Sequence, residues 1–454
     1  MTRSRQAWVL FLLTRLFGLA MDAVVIAFAY LAAVALRFNF GEPMWGWRRV
    51  ALSYGIVCAI YIAAMILSGC YASAWRRLML RDVPRYMAAF GASAVILAAL
   101  RVFLPGSTLA LVRFPYSVTV IATVFAFVGV VGARVMWRVW CDSRVRDKEL
   151  LEREERHFDN SAAARFLLGK TVLVTGAGGT IGSEIVRQVA AAGAKRVILV
   201  ERCENALYEI DREMRAASYT SSTILPVMAD AGNAERMAAL FAAEKPDVVL
   251  HAAACKHVPM VELNPEEGWR NNAEATRSLA KVAAAHDVPR FVLISTDKAV
   301  NPVSVMGQTK REAERIIMAM ESGATVFCAV RFGNVFGSSG SVVPLFREQI
   351  ANRQPVTVTH PEMKRYFMTV QEAVSLVLQA ASRTEKAIYT LDMGKSVRIL
   401  DLAEGMIRQA GFRPYVDIPI VFTGIRPGEK LFEEIDVSEK SCYRTDMAKI
   451  YITK

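Results

Sequence analysis

Four apolar stretches of about 20 residues in the first third of the chain constrain its fold more than any other feature of the sequence. They extend over about Leu16 to Leu36, Val50 to Cys70, Pro84 to Leu104 and Phe114 to Met136. A helix needs about 20 apolar residues to cross a bilayer, and a helix satisfies its own backbone hydrogen bonds there. The sequence therefore predicts an α-helical transmembrane domain of about four spans over residues 1–140.

Charged residues within these stretches leave two alternatives open. The third stretch carries Arg85 and Arg101 near its ends, so a re-entrant or interfacial hairpin is the alternative to a span. Asp22 lies inside the first stretch. We expect it to pair with an arginine of a neighbouring helix, the alternative being a functional role.

The net charge of the chain is concentrated in this apolar third. Residues 1–150 carry 17 Lys and Arg residues against 6 Asp and Glu residues, which is +11 of the net +12 of the whole chain. Basic residues flank the first, second-to-third and fourth stretches at Arg3, Arg5, Arg15, Arg76, Arg77, Arg81, Arg138, Arg144, Arg146 and Lys148. By the positive-inside rule, this distribution predicts cytoplasmic termini and contact with membrane lipid, and it argues against a nucleic-acid partner.

The seven cysteines are scattered without a CxxC pair or a Cys/His spacing suited to zinc. The sequence therefore predicts no metal site and a reduced compartment. Cys255 is expected to be a small buried side chain, with a nucleophile as the alternative.

A strand, a glycine-rich turn and a helix follow one another from Lys170 to Gly193. The apolar run KTVLVT leads into GAGGTIGSEIVRQVAAAG, in which Gly176, Gly179 and Gly182 allow a tight turn and a close approach of the backbone to a pyrophosphate. Three further strands alternate with helices, which predicts a doubly wound parallel sheet. We therefore expect a linker helix over 141–168 and an NAD(P)-binding Rossmann domain over 169–337.

The cofactor is expected to be NAD because the second strand ends at Glu201, which can accept hydrogen bonds from a ribose diol. Arg202 could pair with a 2′-phosphate, so NADP is the alternative. The expected cofactor-binding residues are Thr175, Gly176, Gly179, Thr180, Ile181, Gly182, Glu201, Arg202, Asp230, Ala252, Ala253, Asn272 and Lys310.

Six motifs in a fixed order resemble a known enzyme family. They are TGAGGTIGSE, HAAACKHVPMVELNP, STDKAVNP, MGQTK, VRFGNVFGSSGSVVPLF and GIRPGEKLFEE. This set resembles the extended short-chain dehydrogenase/reductases of bacterial capsule, O-antigen and protein-glycosylation pathways, and more closely the membrane-bound UDP-N-acetylglucosamine 4,6-dehydratases. The resemblance implies a multi-pass protein of the bacterial inner (plasma) membrane, with its catalytic domain in the cytoplasm. A homo-oligomer is also expected.

The resemblance implies catalytic roles for residues at the end of the RFVLIS strand. Lys298 matches the base that takes the sugar C5 proton, and Asp297 matches the acid that protonates the departing C6 hydroxyl group. Thr296 would hold the C4 hydroxyl group. A lysine acts as a base near neutral pH only if its pKa is lowered, and a carboxyl group acts as an acid only if its pKa is raised, so a dry cleft is expected.

Met306 marks a departure from the superfamily pattern, which has a tyrosine at this position. Lys310 matches the lysine that binds the nicotinamide ribose, and the tyrosine normally stands four residues before it. Because methionine cannot carry a proton, another group must serve the C4 hydroxyl group. Two alternatives to the dehydratase stay open: a nucleotide-sugar 4-epimerase and a non-catalytic, membrane-tethered NAD(P)-sensing scaffold.

The resemblance also implies a small C-terminal substrate-binding lobe over 338–454 that includes returning Rossmann elements. The expected contacts to a UDP-sugar are Lys256, His257, Arg331, Asn334, Gly340, Ser341, Arg426 and Glu429, with a structural role as the alternative for His257. An arginine suits a diphosphate because it can donate two parallel hydrogen bonds.

Overall fold

A computed structural model describes residues 2–41, 43, 46–71, 82–103, 115–144, 161–217, 222–321, 323–434 and 441–454. The chain divides into two compact units, residues 1–146 and 147–454, which we call the helical unit and the sheet unit. Most of the expected linker helix over 141–168 lies outside the described residues, as do Arg76, Arg77, Arg81, Arg146 and Lys148.

The described part of the helical unit contains four long helices, α1 (Thr2–Arg37), α2 (Trp47–Leu67), α3 (Val83–Phe103) and α4 (Tyr116–Arg144). Each holds an apolar segment long enough to cross a bilayer, at Leu16–Arg37, Val50–Leu67, Val83–Phe103 and Tyr116–Trp137. The four predicted spans are therefore confirmed as helices of membrane-spanning length and composition. The third stretch forms one uninterrupted helix, so the hairpin alternative is not what the chain adopts.

An ion pair lies in the core of the helical unit. The guanidinium group of Arg134 on α4 donates hydrogen bonds to both carboxylate oxygens of Asp22 on α1, at 2.6 and 2.8 Å. The hydroxyl group of Tyr71 donates to Asp22 at 2.5 Å, and the guanidinium group also lies over the ring of Tyr86. Both charged side chains are almost fully buried. The expected pairing of Asp22 with an arginine of a neighbouring helix is confirmed.

The first half of the sheet unit alternates strands and helices. In chain order the elements are α5 (Ser161–Leu167), β1 (Thr171–Thr175), α6 (Thr180–Ala191), β2 (Arg196–Glu201), α7 (Glu204–Ala216), β3 (Thr223–Met228), α8 (Ala234–Glu244), β4 (Val248–His251), α9 (Val258–Leu263), α10 (Pro265–Trp269), a π-helical turn (Arg270–Glu274), α11 (Ala275–Ala285), β5 (Arg290–Ile294), a 3₁₀ turn (Asp297–Ala299), α12 (Val305–Ala319) and β6 (Val326–Arg331). The strands β1, β4 and β5 are buried along almost their whole length, as expected when helices cover both faces of a parallel sheet.

The second half supplies a small lobe and also returns to the main sheet. Its elements are β7 (Asn334–Val335), α13 (Val342–Ala351), β8 (Val356–Val358), β9 (Lys364–Arg365), β10 (Phe367–Met368), α14 (Val370–Ala381), β11 (Ala387–Leu391), β12 (Val397–Arg398), α15 (Ile399–Gln409), β13 (Ile420–Phe422), β14 (Cys442–Arg444) and β15 (Ile450–Thr453). The lobe has an apolar core of its own, formed mainly by α13, α15 and the short strands β8 and β13.

The main sheet has nine strands in the order β14-β15-β11-β6-β5-β4-β1-β2-β3. The strands from β3 to β11 run parallel, whereas β15 and β14 pair antiparallel at the far edge. The order reverses between β1 and β4, and ligands bind beyond the carboxyl ends of the strands at such a switch point. The predicted doubly wound parallel sheet with a small C-terminal lobe is confirmed.

Candidate active site

The glycine-rich turn between β1 and α6 is packed too tightly for side chains. A Cβ atom added to Gly176 would lie 2.7 Å from Cα of Ala253, and one added to Gly182 would lie 2.0 Å from the carbonyl oxygen of Gly176. Gly176 also has a φ of +65°, which favours glycine. The turn therefore lets a ligand approach the backbone at the amino terminus of α6, where free N–H groups favour an anion such as a pyrophosphate.

A pocket of about 240 Å³ lies beside this turn, at the ends of β2 and β3. Glu201, Arg202, Asp230, Ala252 and Ala253 all line it, as the sequence predicted for the adenosine end of a dinucleotide. The backbone N–H groups of Gly178 and Cys203 donate to the two carboxylate oxygens of Glu201, at 3.1 and 3.0 Å. This arrangement fixes the carboxylate at the rim of the pocket.

Arg202, the expected partner of a 2′-phosphate, is held by protein groups. Its guanidinium group donates to the side-chain oxygen of Asn271 at 2.8 Å and lies 3.6 Å from the carboxylate of Glu267. These contacts compete with any contact to a phosphate.

A larger cleft of about 740 Å³ runs from the glycine-rich turn to the small lobe. Sixteen of the sequence-predicted residues line it: Gly176, Gly179, Thr180, Ile181, Gly182, Ala252, Lys256, His257, Thr296, Lys298, Met306, Lys310, Asn334, Gly340, Ser341 and Glu429. The fold thus gathers residues that lie up to 253 positions apart in the chain into one cleft.

Thr296, Asp297 and Lys298 form a connected group where the chain leaves β5. The hydroxyl group of Thr296 donates to Oδ1 of Asp297 at 2.8 Å, and the amine of Lys298 donates to the same oxygen at 3.0 Å. Thr296 and Lys298 line the large cleft, whereas Asp297 is 2% exposed and lines a smaller cavity of about 190 Å³. Asp297 therefore contacts the large cleft through its two neighbours.

The pKa of Lys298 is raised, whereas the sequence-based expectation is a lowered pKa. Burial disfavours the ammonium form, but the carboxylates of Asp297 and Glu433 outweigh it and raise the pKa of Lys298. The amine lies 3.5 Å from Glu433, which itself lies 3.7 Å from the guanidinium group of Arg365. The sequence-based expectation is wrong in direction because the carboxylate of Asp297 raises this pKa, and Glu433, 135 positions away in the chain, adds to the effect.

Met306 and Lys310 lie on α12, one turn apart, and both face the cleft. Of the described residues that line this cleft, none is a tyrosine. The amine of Lys310 donates to the backbone oxygen of Ile294 at 2.6 Å. Burial lowers the pKa of Lys310 to about 8, against the opposite effect of the carboxylate of Glu314.

Two expected cofactor residues lie beneath the cleft and support its walls. Asn272 is buried, accepts from the backbone N–H of Cys255 at 2.7 Å and donates to the hydroxyl group of Thr309 at 3.0 Å. The hydroxyl group of Thr175 lies 2.7 Å from Nδ1 of His251. Burial and the nearby amine of Lys310 lower the pKa of His251 to about 3, so this imidazole is neutral.

Residues 338–341, which follow β7, line the cleft. The amine of Lys256 donates to the backbone oxygen of Ser339 at 2.8 Å, and the N–H of Ser339 donates to the hydroxyl group of Thr180 at 3.2 Å. Gly340 has a φ of +69°, and a Cβ atom there would lie 2.4 Å from the ring of His257. This packing against Gly340 places His257 at the cleft wall.

Two expected diphosphate contacts do not line the large cleft. Arg331 donates two hydrogen bonds to the buried carboxylate of Glu314, at 2.7 and 2.6 Å, and lines the smaller cavity with Asp297. Arg426 is exposed, and its backbone N–H donates to Glu429, which does line the cleft. Arg331 serves a buried carboxylate here because α12 brings Glu314 beside the end of β6.

Sequence reasoning missed Arg365 and Glu433, which complete the charged group around Lys298. Glu433 belongs to the quoted motif GIRPGEKLFEE, so its position in a motif could have marked it. Arg365 lies on β9 outside the quoted motifs, and no local pattern marks it.

The sheet unit matches a family model over residues 172–454, described as polysaccharide biosynthesis protein. The chain is 50% identical over 295 residues to the capsular polysaccharide biosynthesis protein CapD of Staphylococcus aureus, covering 64% of this chain and 49% of that protein. It is 48% identical over 293 residues to the probable polysaccharide biosynthesis protein EpsC of Bacillus subtilis, with the same two shares. The chain thus spans about half the length of these curated relatives.

Proteins with other names are also similar. A UDP-glucose 4-epimerase of Rickettsia rickettsii is 31% identical over 286 residues, which covers 62% of this chain and 82% of that protein. The solved structure of Pen from Bacillus thuringiensis has a TM-score of 0.58 at 33% identity and covers 63% of this chain and 90% of that one. DesIV from Streptomyces venezuelae, a dTDP-glucose 4,6-dehydratase, shares the fold with a TM-score of 0.53 at 19% identity, covering 59% of this chain and 88% of that one.

The family model covers more than half of the chain, and its range begins within β1 and includes both pockets. With the strand order and the site geometry described above, this match assigns the family. The chain belongs to the polysaccharide biosynthesis protein family.

Proposed function

We propose that this protein is an NAD-dependent 4,6-dehydratase of a UDP-N-acetylhexosamine, most closely UDP-N-acetylglucosamine, that supplies a 4-keto-6-deoxy sugar for cell-surface polysaccharide or glycoprotein synthesis. The observation that carries the proposal is the connected group of Thr296, Asp297 and Lys298 at the floor of a cleft without a tyrosine among its described lining residues. Such a group can accept, hold and return protons within one site.

The residues present fit a dinucleotide. The close packing of Gly176 and Gly182 leaves the backbone at the start of α6 open to a pyrophosphate, and Glu201 is fixed where a ribose diol can donate to it. The contacts that hold Arg202 favour NAD over NADP. Bound NAD would accept a hydride from sugar C4 and later return it to C6.

The hydrogen bond from Thr296 to Asp297 supports a proton path that balances without a tyrosine. When the C4 hydroxyl group is oxidised, its proton would pass to the oxygen of Thr296 while Thr296 passes its own proton to Oδ1 of Asp297. The protonated Asp297 would then return that proton through Thr296 to the C6 hydroxyl group, which leaves as water. The proton removed from C5 would be taken up by Lys298 and given back to C5, so the sugar loses one water molecule and the protein is unchanged.

Lys298 is an ammonium group at rest, so it must release one proton to solvent before it can take one from C5, and it takes a proton back from solvent after C5 has been reprotonated. The transfer of a proton to Asp297 in the first step removes one of the two negative charges beside the amine. Loss of that charge lowers the pKa of Lys298 at the stage when a base is needed.

The 4-epimerase is the second candidate, because a relative with that name matches over most of its length. Epimerisation also begins with removal of the C4 hydroxyl proton, normally by the tyrosine that Met306 replaces. An epimerase has no use for an acid at C6 or a base at C5. The group around Lys298 therefore favours the dehydratase.

The test is to incubate the detergent-purified protein with UDP-N-acetylglucosamine and NAD in heavy water and to follow the sugar by NMR. We expect a 4-keto-6-deoxy product that carries deuterium at C5, since the lysine amine exchanges with solvent. Formation of UDP-N-acetylgalactosamine instead would assign the epimerase. Cofactor binding without any change to UDP-N-acetylhexosamines would support the sensing scaffold.

A further inference from the structure

Glu433 lies at the end of a segment that returns from the small lobe to the catalytic residues. Its side chain is 3% exposed, and one carboxylate oxygen lies 3.5 Å from the amine of Lys298 and 3.7 Å from the guanidinium group of Arg365. The other oxygen is buried and has no hydrogen-bond partner among the described residues. A buried carboxylate in this setting is stable only next to cations.

The segment 426–434 is attached to the catalytic turn at several points. The guanidinium group of Arg365 donates to the backbone oxygens of Lys430 and Leu431, at 2.8 and 3.2 Å. The amine of Lys430 in turn donates to the backbone oxygen of Val300 at 3.0 Å. The side chain of Asn301 donates to Glu434 at 2.8 Å. These contacts fix Glu433 relative to Lys298.

We propose that Glu433 is a positioning residue that keeps Lys298 in its ammonium form in the resting site, and that it ties this state to the segment that also presents Glu429 to the cleft. The charged groups that face Lys298 are Asp297 on its own turn, Glu433 on the returning segment and Arg365 on β9. The two carboxylates carry two negative charges, which balance the positive charges of Lys298 and Arg365. Removal of the charge of Glu433 leaves an excess of one positive charge, which disfavours the ammonium form.

The inference deepens the proposed function, and its catalytic consequence rests on it. A lysine kept protonated at rest cannot remove the C5 proton until Asp297 has been neutralised by the first proton transfer. Glu433 therefore enforces the order of the two steps. With Glu433 uncharged, Lys298 would be available as a base at lower pH.

The test measures the protonation of Lys298 directly, without turnover. The purified full-length protein with NAD is labelled with acetic anhydride across a pH series, and the reaction at Lys298 is followed by mass spectrometry. The amine lines the cleft and its side chain is 20% exposed, so the reagent can reach it. We expect Glu433→Gln to move the labelling midpoint of Lys298 down by about one pH unit or more.

Glu434→Gln is the matched control, because it makes the same chemical change at the next residue, which contacts Asn301 and Lys430 but not Lys298. Its midpoint should equal that of the unaltered protein. Glu433→Asp keeps the charge, so its labelling midpoint should lie close to that of the unaltered protein. This variant gives a second test if Glu433→Gln fails to bind NAD. An unchanged midpoint in folded Glu433→Gln, or equal shifts in Glu433→Gln and Glu434→Gln, would overturn the proposal.

A turnover measurement separates this inference from the proposed function. If the protein is a dehydratase, the rise of kcat with pH should move to lower pH in Glu433→Gln, with KM within about threefold of the unaltered value. If the unaltered protein converts no sugar, the proposed function fails, and the labelling result still decides the role of Glu433.

Discussion

At the scale of single residues, the amine of Lys298 donates a hydrogen bond of 3.0 Å to a carboxylate oxygen of Asp297, yet only Lys298 lines the cleft. In the proposed path, Asp297→Asn removes the carboxylate that holds the proton from the C4 hydroxyl group, and Lys298→Met removes the base that takes the C5 proton. Because elimination needs both, each substitution should lower kcat by a factor of about 10² or more.

Nucleotide binding is the control for these two variants. Neither side chain lines the pocket beside Glu201, so the dissociation constant of NAD, measured by calorimetry, should change little. Near-normal turnover in either variant would remove that residue from the proposed proton path.

Thr296 and Met306 offer a contrast between a residue that can relay a proton and one that cannot. Thr296→Val keeps the shape of the side chain but breaks the 2.8 Å hydrogen bond to Asp297. It should slow C4 oxidation, seen in a stopped-flow experiment as a smaller transient NADH absorbance. Met306→Leu conserves apolar volume at a position 3% exposed, and such exchanges cost less than about 1.5 kcal/mol.

We therefore expect Met306→Leu to retain most of the turnover. If Met306→Leu is inactive while it still folds and binds NAD, the sulfur atom takes part in the reaction. If Thr296→Val oxidises C4 at the normal rate, the proton leaves by another path.

The single-residue contacts also show what the sequence could and could not predict. The position of Thr296, Lys298 and Lys310 in the cleft was predictable from the sequence. Thr296 and Lys298 directly follow β5, and Lys310 lies on α12, the next helix in the chain. The pairing of Arg331 with Glu314 was not, because it depends on how α12 packs beside β6. The raised pKa of Lys298 depends on Asp297 and also on Glu433, 135 positions away, and a local pattern carries no information about the more distant charge.

At the scale of elements, the junction of β1 and α6 depends on glycine at the helix start. A Cβ atom at Gly182 would lie 2.0 Å from the carbonyl oxygen of Gly176, and both atoms are fixed by backbone. Gly182→Ala should therefore push α6 away from the turn, at a cost of about 1–3 kcal/mol in the free energy of unfolding. The same shift should weaken NAD binding by at least about tenfold.

Gly323→Ala is the matched control for this substitution. Among the described residues, nothing lies within 4 Å of a Cβ atom added there. Thermal unfolding and NAD titration of the two variants should separate them. If Gly182→Ala unfolds and binds NAD as the unaltered protein does, the close packing of the turn does not determine cofactor binding.

The order of the elements and the glycine-rich turn were therefore predictable from local patterns, since glycine spacing and alternating strands act over short distances. The three short two-stranded sheets of the lobe were not predictable in the same way. The strands β7, β9, β10 and β12 each have two residues, too few for a periodic pattern.

At the scale of the whole molecule, the helical unit contains its own buried charge pair. Asp22→Leu would leave the guanidinium group of Arg134 buried without its carboxylate, which typically costs about 3–5 kcal/mol. Replacement of both partners, Asp22→Leu with Arg134→Met, should recover much of that loss. Thermal unfolding in detergent should therefore rank the double variant above the single one. A double variant no more stable than Asp22→Leu would show that the two charges do not act as a pair.

The position of this pair also bears on how the chain crosses the membrane. Asp22 lies towards the start of the first apolar segment, Tyr71 follows α2, Tyr86 begins α3 and Arg134 lies near the end of the fourth apolar segment. In four helices of alternating direction these positions share one end of the unit. In the sequence, basic clusters precede the first apolar segment, fall between the second and the third, and follow the fourth.

We therefore predict that this end faces the cytoplasm, with an even number of crossings and the sheet unit in the compartment where nucleotide sugars are made. Alkaline phosphatase, which is active only after export, should be inactive when fused after residue 150 and active when fused after residue 41, between α1 and α2. Green fluorescent protein, which folds in the cytoplasm, should give the opposite result at the same two positions. An active phosphatase at residue 150 would contradict the topology and would place the cleft away from the UDP-sugar pool, so the proposed dehydratase would then lack its substrate.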